Sequence, residues 1–437
     1  MDVIYSIDSH IPFKKALPIG LQHVLVMFVA NITPIIILAG ILDFSSEFKA
    51  NLVQNAMLIA GIGTFIQLYP LWRIGSRLPI VMGVSFTFLS VAIGVSTSLG
   101  YGTMLCAIII GGIVEGLIGL FAKYWVRFIT PVVAATIVTA IGFSLLPIGA
   151  NSFAGGEGSA DFGSAQNLIV GTVTLVSCLI FRIFTKGFYQ AVSFFFGLIV
   201  GYILSIFMGM VDFSVLKGCK IFALPMIPML SPDFHLQFDL GAVLSFIVIF
   251  LVSATETIGD TTVVVTSGLN REPSSDEISG ALACDGFISS ISGILGCTPI
   301  TSFSQNAGLM KVTGVFNRNA IGVGAAIMIL AGLFPAFGAL LCTVPQCVLG
   351  GCTIMMFGSI IMAGIEMLAR CEFNSHNTTV ITLSLAVGIG FPQANGLFDI
   401  FPQMVQEVFA QNSVAIVFVI ALITDSVHRP KYNRKQQ

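Results

Sequence analysis

The sequence predicts an all-α polytopic membrane protein. Of its 437 residues, 56% are hydrophobic and only 9% are Asp, Glu, Lys or Arg, whereas a soluble domain carries about 25% charged residues. Apolar runs of about 20 residues, the length that crosses a bilayer, fill the chain almost continuously from Leu17 to Thr424. The composition excludes a soluble globular protein, and the continuous apolar runs leave no room for a soluble catalytic domain.

Polar residues and Pro or Gly breaks divide the apolar part of the chain into candidate spans. The fourteen spans are residues 17–41, 51–71, 79–98, 102–122, 127–148, 167–184, 189–210, 238–267, 277–296, 299–310, 319–340, 344–367, 378–392 and 412–426. The third and the tenth are too short or too polar to be complete helices. We therefore expect fourteen transmembrane segments, with two short antiparallel strands in spans 3 and 10.

The basic residues support this count, because Lys and Arg accumulate in cytoplasmic loops. Sixteen of the nineteen lie before the first span or at the exits of even-numbered spans, and only Lys49, Lys217 and Lys220 fall on the opposite side. The alternation predicts a multi-pass protein of the cytoplasmic membrane with both termini in the cytoplasm.

Two halves of seven spans show traces of a repeat. Gly-Leu-Phe at 119–121, followed by Thr-Pro at 130–131, recurs as Gly-Leu-Phe at 332–334 and Val-Pro at 344–345. A repeat with an odd number of spans is inserted upside down relative to its copy. This predicts the 7+7 inverted repeat of secondary transporters, in which the substrate binds near the midplane.

Charge balance and motifs narrow the function classes. The net charge is −2 without a basic domain, which excludes nucleic-acid binding because that affinity needs clustered Lys and Arg. No G-x-x-x-x-G-K-[ST] loop is present, so ATP is not the energy source within this chain. The nine cysteines form no C-x-x-C pair, and neither a metal site nor a cofactor is expected.

Charged residues at membrane depth are functional candidates, because burying them costs several kcal/mol. Glu256 and Asp260 are four residues apart, so a helix places them on one face, where like charges hinder each other's ionisation. Asp285 follows on the next span, at the expected edge of the pocket, and His23 lies on the first. The alternative to a functional role is structural: the acids would be hydrogen-bonded to neighbouring Thr hydroxyls, and the histidine would only be a packing residue. For Glu115 the sequence leaves the role open.

The two incomplete spans share an alternation of aromatic and small polar residues, at 83–88 and at 299–306. A period of two suits a strand better than a helix. Lipid cannot satisfy the backbone of a strand, so the two strands are expected to pair inside the protein. The helix after each strand would point its free N–H groups at the centre. This pattern predicts a polar pocket of Phe86, Ser304, Gln305 and a carboxylate of the Glu256 face.

The stretch Gln-Asn-Ala-Gly-Leu-Met-Lys-Val-Thr-Gly at 305–314 resembles the signature of the nucleobase–ascorbate transporter family, also called nucleobase:cation symporter 2. Further matches occur in order on the expected spans: Gln22-His23, Ser85-Phe86, Glu256 with Asp260, and Asp285-Gly286. The resemblance therefore covers nearly the whole chain and is greatest to xanthine and uric acid permeases of that family.

The resemblance implies two domains, each built from both halves, and a homodimer in the lipid bilayer. The core domain would hold residues 1–122 (spans 1–4) and 237–341 (spans 8–11), the gate domain residues 123–236 (spans 5–7) and 342–426 (spans 12–14), and residues 427–437 would form a cytoplasmic tail.

The resemblance also implies which residues act. The implied substrate-binding residues are Glu256, Gln305, Phe86, Ser304, Phe303, Ser85 and Asn306, and those for proton coupling and site organisation are Asp285, Asp260 and His23. Uracil-type members carry Glu where this chain has Gln305, whereas xanthine and uric acid members carry Gln. Ser85 stands where several xanthine-selective relatives carry a larger amide, which would widen the pocket for uric acid.

These features lead us to expect proton-coupled uptake of an oxopurine by alternating access. The Gln305 amide offers a donor and an acceptor side by side, matching a purine edge with adjacent N–H and C=O groups. A uracil or other pyrimidine:proton symporter of the same family is the alternative. Anion carriers fit poorly with Glu256 in the pocket. An enzyme would need a nucleophile with a positioned base or a metal, which the sequence does not supply.

Overall fold

The computed structural model describes residues 4–126, 129–216, 222–230, 234–394, 396–410 and 412–428. In these ranges the helices are α1 (Phe13–Ile41), α2 (Ser46–Leu68), α3 (Leu89–Ser98), α4 (Tyr101–Leu120), α5 (Ala122–Trp125), α6 (Pro131–Phe153), α7 (Ala165–Phe184), α8 (Phe188–Ala191), α9 (Ser193–Phe207), α10 (Leu240–Leu269), α11 (Ser275–Ile294), α12 (Ser304–Thr313), α13 (Arg318–Ala331), α14 (Pro335–Cys342), α15 (Gln346–Ala369), α16 (Ser375–Gly390), α17 (Gln403–Phe409) and α18 (Ser413–His428). The strands are β1 (Met82–Val84) and β2 (Ile300–Ser302). Several basic residues used for the orientation lie outside the described residues, namely Arg127, Lys217, Lys220 and, in the predicted cytoplasmic tail, Arg429, Lys431, Arg434 and Lys435.

Seven of the described helices are long and apolar enough to cross a membrane: α1, α2, α4, α6, α7, α10 and α15. The pair α13 and α14 would form an eighth span, bent by 82°. Shorter apolar helices lie at Phe86–Ser98, Ser193–Phe207 and Ser413–Val427. A multi-pass, mostly helical membrane fold is therefore confirmed. The count of fourteen spans and the inverted repeat stay predictions.

Capping residues explain where the helices around the site begin and end. The Ser274 hydroxyl accepts from the Glu277 N–H while the Glu277 carboxylate accepts from the Ser274 N–H, a capping box that starts α11. The carboxylate of Asp239 accepts from an N–H in the first turn of α10. Gly314 ends α12 with a φ of 67°, in the left-handed region that glycine enters without strain.

The two strands pair antiparallel, with Gly83 opposite Thr301. This confirms the prediction that the two incomplete spans each contain a strand and that these pair. The strands are shorter than the alternation indicates, because the Ser85 hydroxyl accepts from the Thr87 N–H and so caps a 3-10 turn at Phe86–Phe88. In the second half of the chain β2 is likewise short, because α12 begins at Ser304, two residues after the strand ends.

A two-stranded sheet at membrane depth has two open edges, and side chains of neighbouring helices satisfy them. On the β1 edge the Met82 N–H donates to Thr64 Oγ1 at 2.9 Å and the Val84 N–H donates to Asn31 Oδ1 at 2.8 Å. On the β2 edge the Ser289 hydroxyl accepts from the Ile300 N–H and donates to the Ile300 carbonyl. Buried polar residues of α1, α2 and α11 thus replace the water that lipid lacks.

The helices pack mainly within two groups. In the first group α1 and α2 pack on α13, and α4 packs on α10 and α11; in the second α6 and α7 pack on α15, α7 on α9, and α16 on α18. The strand pair lies in the first group, against α1, α2, α10 and α11. The division into a core and a gate domain remains a prediction.

Candidate functional site

The candidate site lies where both strands end and helices begin, opposite the middle of α10. The Glu256 carboxylate of α10 is half-buried. The hydroxyl of Thr87, in the 3-10 turn after β1, donates to both of its oxygens, at 3.0 and 2.9 Å. One hydroxyl therefore fixes this carboxylate and leaves acceptor capacity free.

Asp260, one helical turn further along α10, faces the end of the other strand. Its Oδ2 accepts from the Ser302 hydroxyl at 2.6 Å. The shared helix face predicted for Glu256 and Asp260 therefore spans both strand ends, with one acid at each.

Asp285 is fully buried, which differs from the expected place at the edge of the pocket. The hydroxyls of Thr257 and Thr301 donate to its Oδ2, the latter at 3.1 Å, and Gln67 Nε2 donates to its Oδ1 at 3.3 Å. Ser302 Oγ, which donates to Asp260, lies 3.3 Å from Thr257 Oγ1, and this contact connects the network to Asp260. Asp285 is thus linked to the pocket through hydroxyl groups.

Gln67 of α2 extends the network away from the pocket. Its Oε1 accepts from the N–H and the hydroxyl of Ser76, at 3.1 and 2.9 Å, and its Nε2 also donates to the Ala281 carbonyl. Ser76 lies in the loop that follows α2. A continuous chain of hydrogen-bonding groups therefore connects Asp285 with that loop.

His23 and Asn306 form a separate buried pair. Asn306 Nδ2 donates to the His23 carbonyl at 2.9 Å and lies 3.1 Å from His23 Nδ1. Asn306 is fully buried and His23 is 2% exposed. This geometry joins α1 to α12 and places the Asn306 amide against His23.

The remaining predicted residues divide into buried and open ones. Phe86, Phe303 and Ser85 are buried, and the ring of Phe86 meets that of Phe357 on α15 edge-to-face at 5.0 Å. Ser304 is exposed and Gln305 is half-buried. Within the described part of the chain the Gln305 amide makes no hydrogen bond. The open polar surface of the site thus consists of Gln305, Ser304 and Glu256.

None of the acids at this site forms an ion pair with a described residue. The ion pairs in the described ranges are Arg271 with Glu277, Arg318 with Asp8 and His376 with Asp425. No group of three His, Cys, Asp or Glu residues in these ranges could hold a metal ion. Among the described residues, the carboxylates of this site are therefore compensated by neutral hydrogen-bond donors.

Comparison with known proteins identifies the family. Residues 14–397 match the family model described as "Permease family". The xanthine permease of Bacillus subtilis is 32% identical over 94% of this chain and 93% of its own length. The chain belongs to the nucleobase–ascorbate transporter family. It is a membrane permease and not an enzyme.

A second relative and a solved structure extend the comparison. The uric acid permease PucK of Bacillus subtilis is 32% identical to this permease over 87% of the chain and 88% of its own length. The transmembrane domain of a cyanobacterium bicarbonate transporter, BicA, superposes with a TM-score of 0.59 at 14% identity, over 96% of this chain and 99% of that domain. The structural likeness concerns the fold alone.

Sequence reasoning raised neighbouring Thr hydroxyls as an alternative but missed which neutral side chains hold the acids of this permease. Thr87, Thr257, Thr301, Ser302 and Gln67 hold Glu256, Asp260 and Asp285 in place. A signal was present, because Thr and Gln inside apolar spans must find hydrogen-bond partners. What the sequence lacked was the pairing: Thr87 and Glu256 are 169 residues apart.

Proposed function

We propose that this permease takes up an oxopurine nucleobase, xanthine or uric acid, together with protons across the cytoplasmic membrane by alternating access. The names of the relatives, a xanthine permease and a uric acid permease, support the substrate class. The observation that carries the proposal is that two polar side chains on adjoining helices keep hydrogen-bonding capacity free: the half-buried carboxylate of Glu256 and the amide of Gln305, which has no hydrogen-bond partner among the described residues.

The substrate would be held by two complementary side chains. Among the described residues Glu256 accepts from Thr87 alone, and a carboxylate has about four acceptor sites, so it can accept further bonds from ring N–H groups. The Gln305 amide supplies one acceptor and two donors. An oxopurine presents N–H and C=O groups side by side, which matches both.

Backbone donors at the two helix starts would complete the contacts. The N–H groups of a first helical turn have no partner within the helix, and the helix dipole adds positive potential there. The 3-10 turn at Phe86–Phe88 follows β1, and α12 begins at Ser304 after β2. Both of these helical starts lie beside α10. We infer that the backbone at Phe86 and Ser304 donates to purine carbonyl oxygens, with Phe86 and Phe303 lining the ring.

Proton coupling follows from how the acids are compensated. Asp260 and Asp285 are buried, and in the described ranges they accept from hydroxyl and amide groups alone. A charge buried without a cation costs free energy, and binding a proton removes that cost. When substrate and proton bind to one connected network, each promotes the binding of the other. We therefore assign coupling to Glu256, Asp260 and Asp285.

Alternating access would be a movement of the core domain against the gate domain. Phe86, beside the site, contacts Phe357 on α15. The 3-10 turn at Phe86–Phe88 therefore lies at the boundary of the two helix groups. We infer that this aromatic contact changes between inward-open and outward-open states.

The orientation, the span count and the homodimer are parts of the same proposal. Reporter fusions after Gly218, which lies outside the described residues, and after Arg271 should report opposite sides of the membrane. A report of the same side would contradict fourteen spans with both termini in the cytoplasm. Crosslinking of the purified permease in lipid should give a dimer.

Competition of xanthine uptake tests the substrate in cells that lack their own purine uptake. Unlabelled uric acid and xanthine should inhibit uptake of radiolabelled xanthine, and uracil should not. Gln305→Glu should weaken xanthine uptake by roughly tenfold, because an unpaired buried group costs on the order of 1–3 kcal/mol. Gln393→Glu, on an exposed residue, is the matched control. Uracil uptake by the wild type would establish the pyrimidine alternative instead.

A further inference from the structure

Glu115 is a buried acid for which the site described above has no use. It lies on α4 and is 4% exposed. Gly112 lies three residues before it and Gly116 directly after it, and both glycines are on the face of α4 that meets α11. A Cβ added at Gly112 would lie 2.6 Å from the carbonyl oxygen of Gly286. The two helix backbones therefore touch in this seam, and Glu115 sits beside the contact.

Neither carboxylate oxygen of Glu115 has a hydrogen-bond partner among the described residues. In contrast, Glu256, Asp260 and Asp285 each accept from at least one side chain. A buried polar group without a partner costs about 1–3 kcal/mol, and more when it is charged. An ionised Glu115 would therefore be poorly stabilised in this seam.

The charged groups near α4 do not compensate this acid. On α11 the nearby acid is Asp285, whose neighbour Gly286 meets Gly112 and Gly116 of α4, and two like charges across this seam would repel each other. The helix α10 meets α4 with Phe246 and Phe250 against Gly111, and its acids bond to Thr87 and Ser302. The segment α3 holds no titratable residue.

The cations at the end of α4 are engaged elsewhere. Arg73 donates to the Leu120 carbonyl at 3.4 Å, and Lys123 lies over the ring of Tyr124. In the described ranges Glu115 forms no ion pair. The proton is the ligand that fits, because it needs one oxygen, whereas a metal cation would need several converging oxygen ligands.

We propose that Glu115 is a further proton-binding residue of the transport cycle, which works together with Asp285 across the seam between α4 and α11. Glu115 alternates between carboxylic acid and carboxylate, and the two acids are not ionised at the same time. When one releases its proton the other retains one, so the pair holds at most one negative charge. The inference rests on the proton coupling proposed above and extends it to a residue outside the substrate pocket.

Uptake and exchange of xanthine by the full chain in proteoliposomes separate coupling from binding. Glu115→Gln imitates the protonated acid permanently. We expect it to keep xanthine exchange between labelled and unlabelled pools within about twofold of wild type. Net accumulation driven by a pH difference of one unit should fall by about tenfold, since one proton moved across that difference is worth a factor of ten. Its uptake should also depend less steeply on external pH than wild-type uptake, because Glu256, Asp260 and Asp285 still titrate in this variant.

Two controls make the result decisive. Glu366→Gln, on an exposed acid of α15, should behave as wild type. Glu115→Asp keeps a titratable group and should retain pH-dependent accumulation with a shifted midpoint; this variant decides the question if Glu115→Gln does not reach the membrane, and an unchanged midpoint would then contradict the proposal.

The failure of this inference differs from the failure of proton coupling. If a protonophore abolishes wild-type accumulation and Glu115→Gln accumulates xanthine with the wild-type pH profile, Glu115 is a permanently protonated packing residue and the inference is wrong. If wild-type accumulation survives the protonophore, proton coupling itself is wrong, and the role of Glu115 falls with it.

Discussion

Asp285 and Asp425 are both buried carboxylates on apolar helices, but their partners differ. Asp285, beside the strand pair, accepts from Thr257, Thr301 and Gln67, all of which are neutral. Asp425, on α18, lies 3.0 Å from Nε2 of His376 on α16. Among the described residues, the hydrogen-bond donors of Asp285 are all neutral, whereas Asp425 has a base that can carry positive charge.

The difference indicates which acid can change its charge during transport. A carboxylate paired with a histidine can remain ionised, because the imidazolium compensates it. A carboxylate with neutral donors keeps similar partners after it binds a proton, since hydroxyl groups can donate or accept. We therefore expect the acids near the strands to serve transport and the pair of α16 and α18 to hold those helices together.

The largest effect is expected at the acid of the open pocket. Glu256→Gln should abolish xanthine accumulation, because an amide presents a donor to the ring N–H and leaves a buried group unpaired, at a cost on the order of 1–3 kcal/mol. The loss is measured as accumulation of radiolabelled xanthine, with Glu366→Gln as the surface control. Near-normal uptake by Glu256→Gln would remove this residue from the substrate site.

The next prediction concerns the energy source. Uptake should rise as external pH falls from about 8 to about 6, because protonation of the buried acids promotes substrate binding. It should collapse with a protonophore and be indifferent to replacement of sodium by potassium. Accumulation that survives the protonophore but requires sodium would overturn the proton assignment while leaving the permease assignment intact.

Asp285→Asn and Asp425→Asn test the comparison directly. Asp285→Asn should slow net accumulation more than it weakens equilibrium binding of xanthine, because it removes a proton site and leaves the contacts of Glu256 and Gln305 in place. Asp425→Asn should lower the stability of the purified permease by roughly 1–3 kcal/mol without changing the pH profile of the remaining uptake. An altered pH profile for Asp425→Asn, measured beside its melting temperature, would break the comparison.

The smallest effect is expected at the residue that positions Glu256. Thr87→Val removes the hydroxyl that donates to this carboxylate, and a hydrogen bond to a charged group contributes about 1.5–3 kcal/mol, part of which water in the open pocket can replace. We therefore expect a few-fold weaker affinity for xanthine, measured as KM. Thr87→Ser, which retains the hydroxyl, should be close to wild type. Equal losses in both variants would assign the effect to packing.

Much of the fold was accessible from the sequence because its signals are local. The strand pair followed from the period of two, and Glu256 and Asp260 share a face because they are four residues apart on one helix. The strand ends were misjudged, because the cap by which Ser85 starts a helical turn interrupts an alternation that continues in the sequence.

The sequence by itself determined the membrane class, the apolar segments and the acids that do not belong in lipid, since hydropathy and helix or strand period are properties of neighbouring residues. Only the tertiary structure decided what each buried acid meets: Thr87 for Glu256, Gln67 for Asp285, His376 for Asp425, and no partner among the described residues for Glu115. These contacts join helices far apart in the chain. A period gives the face of a helix, but the neighbour on that face depends on how all the helices pack, and the charge an acid carries depends on that neighbour.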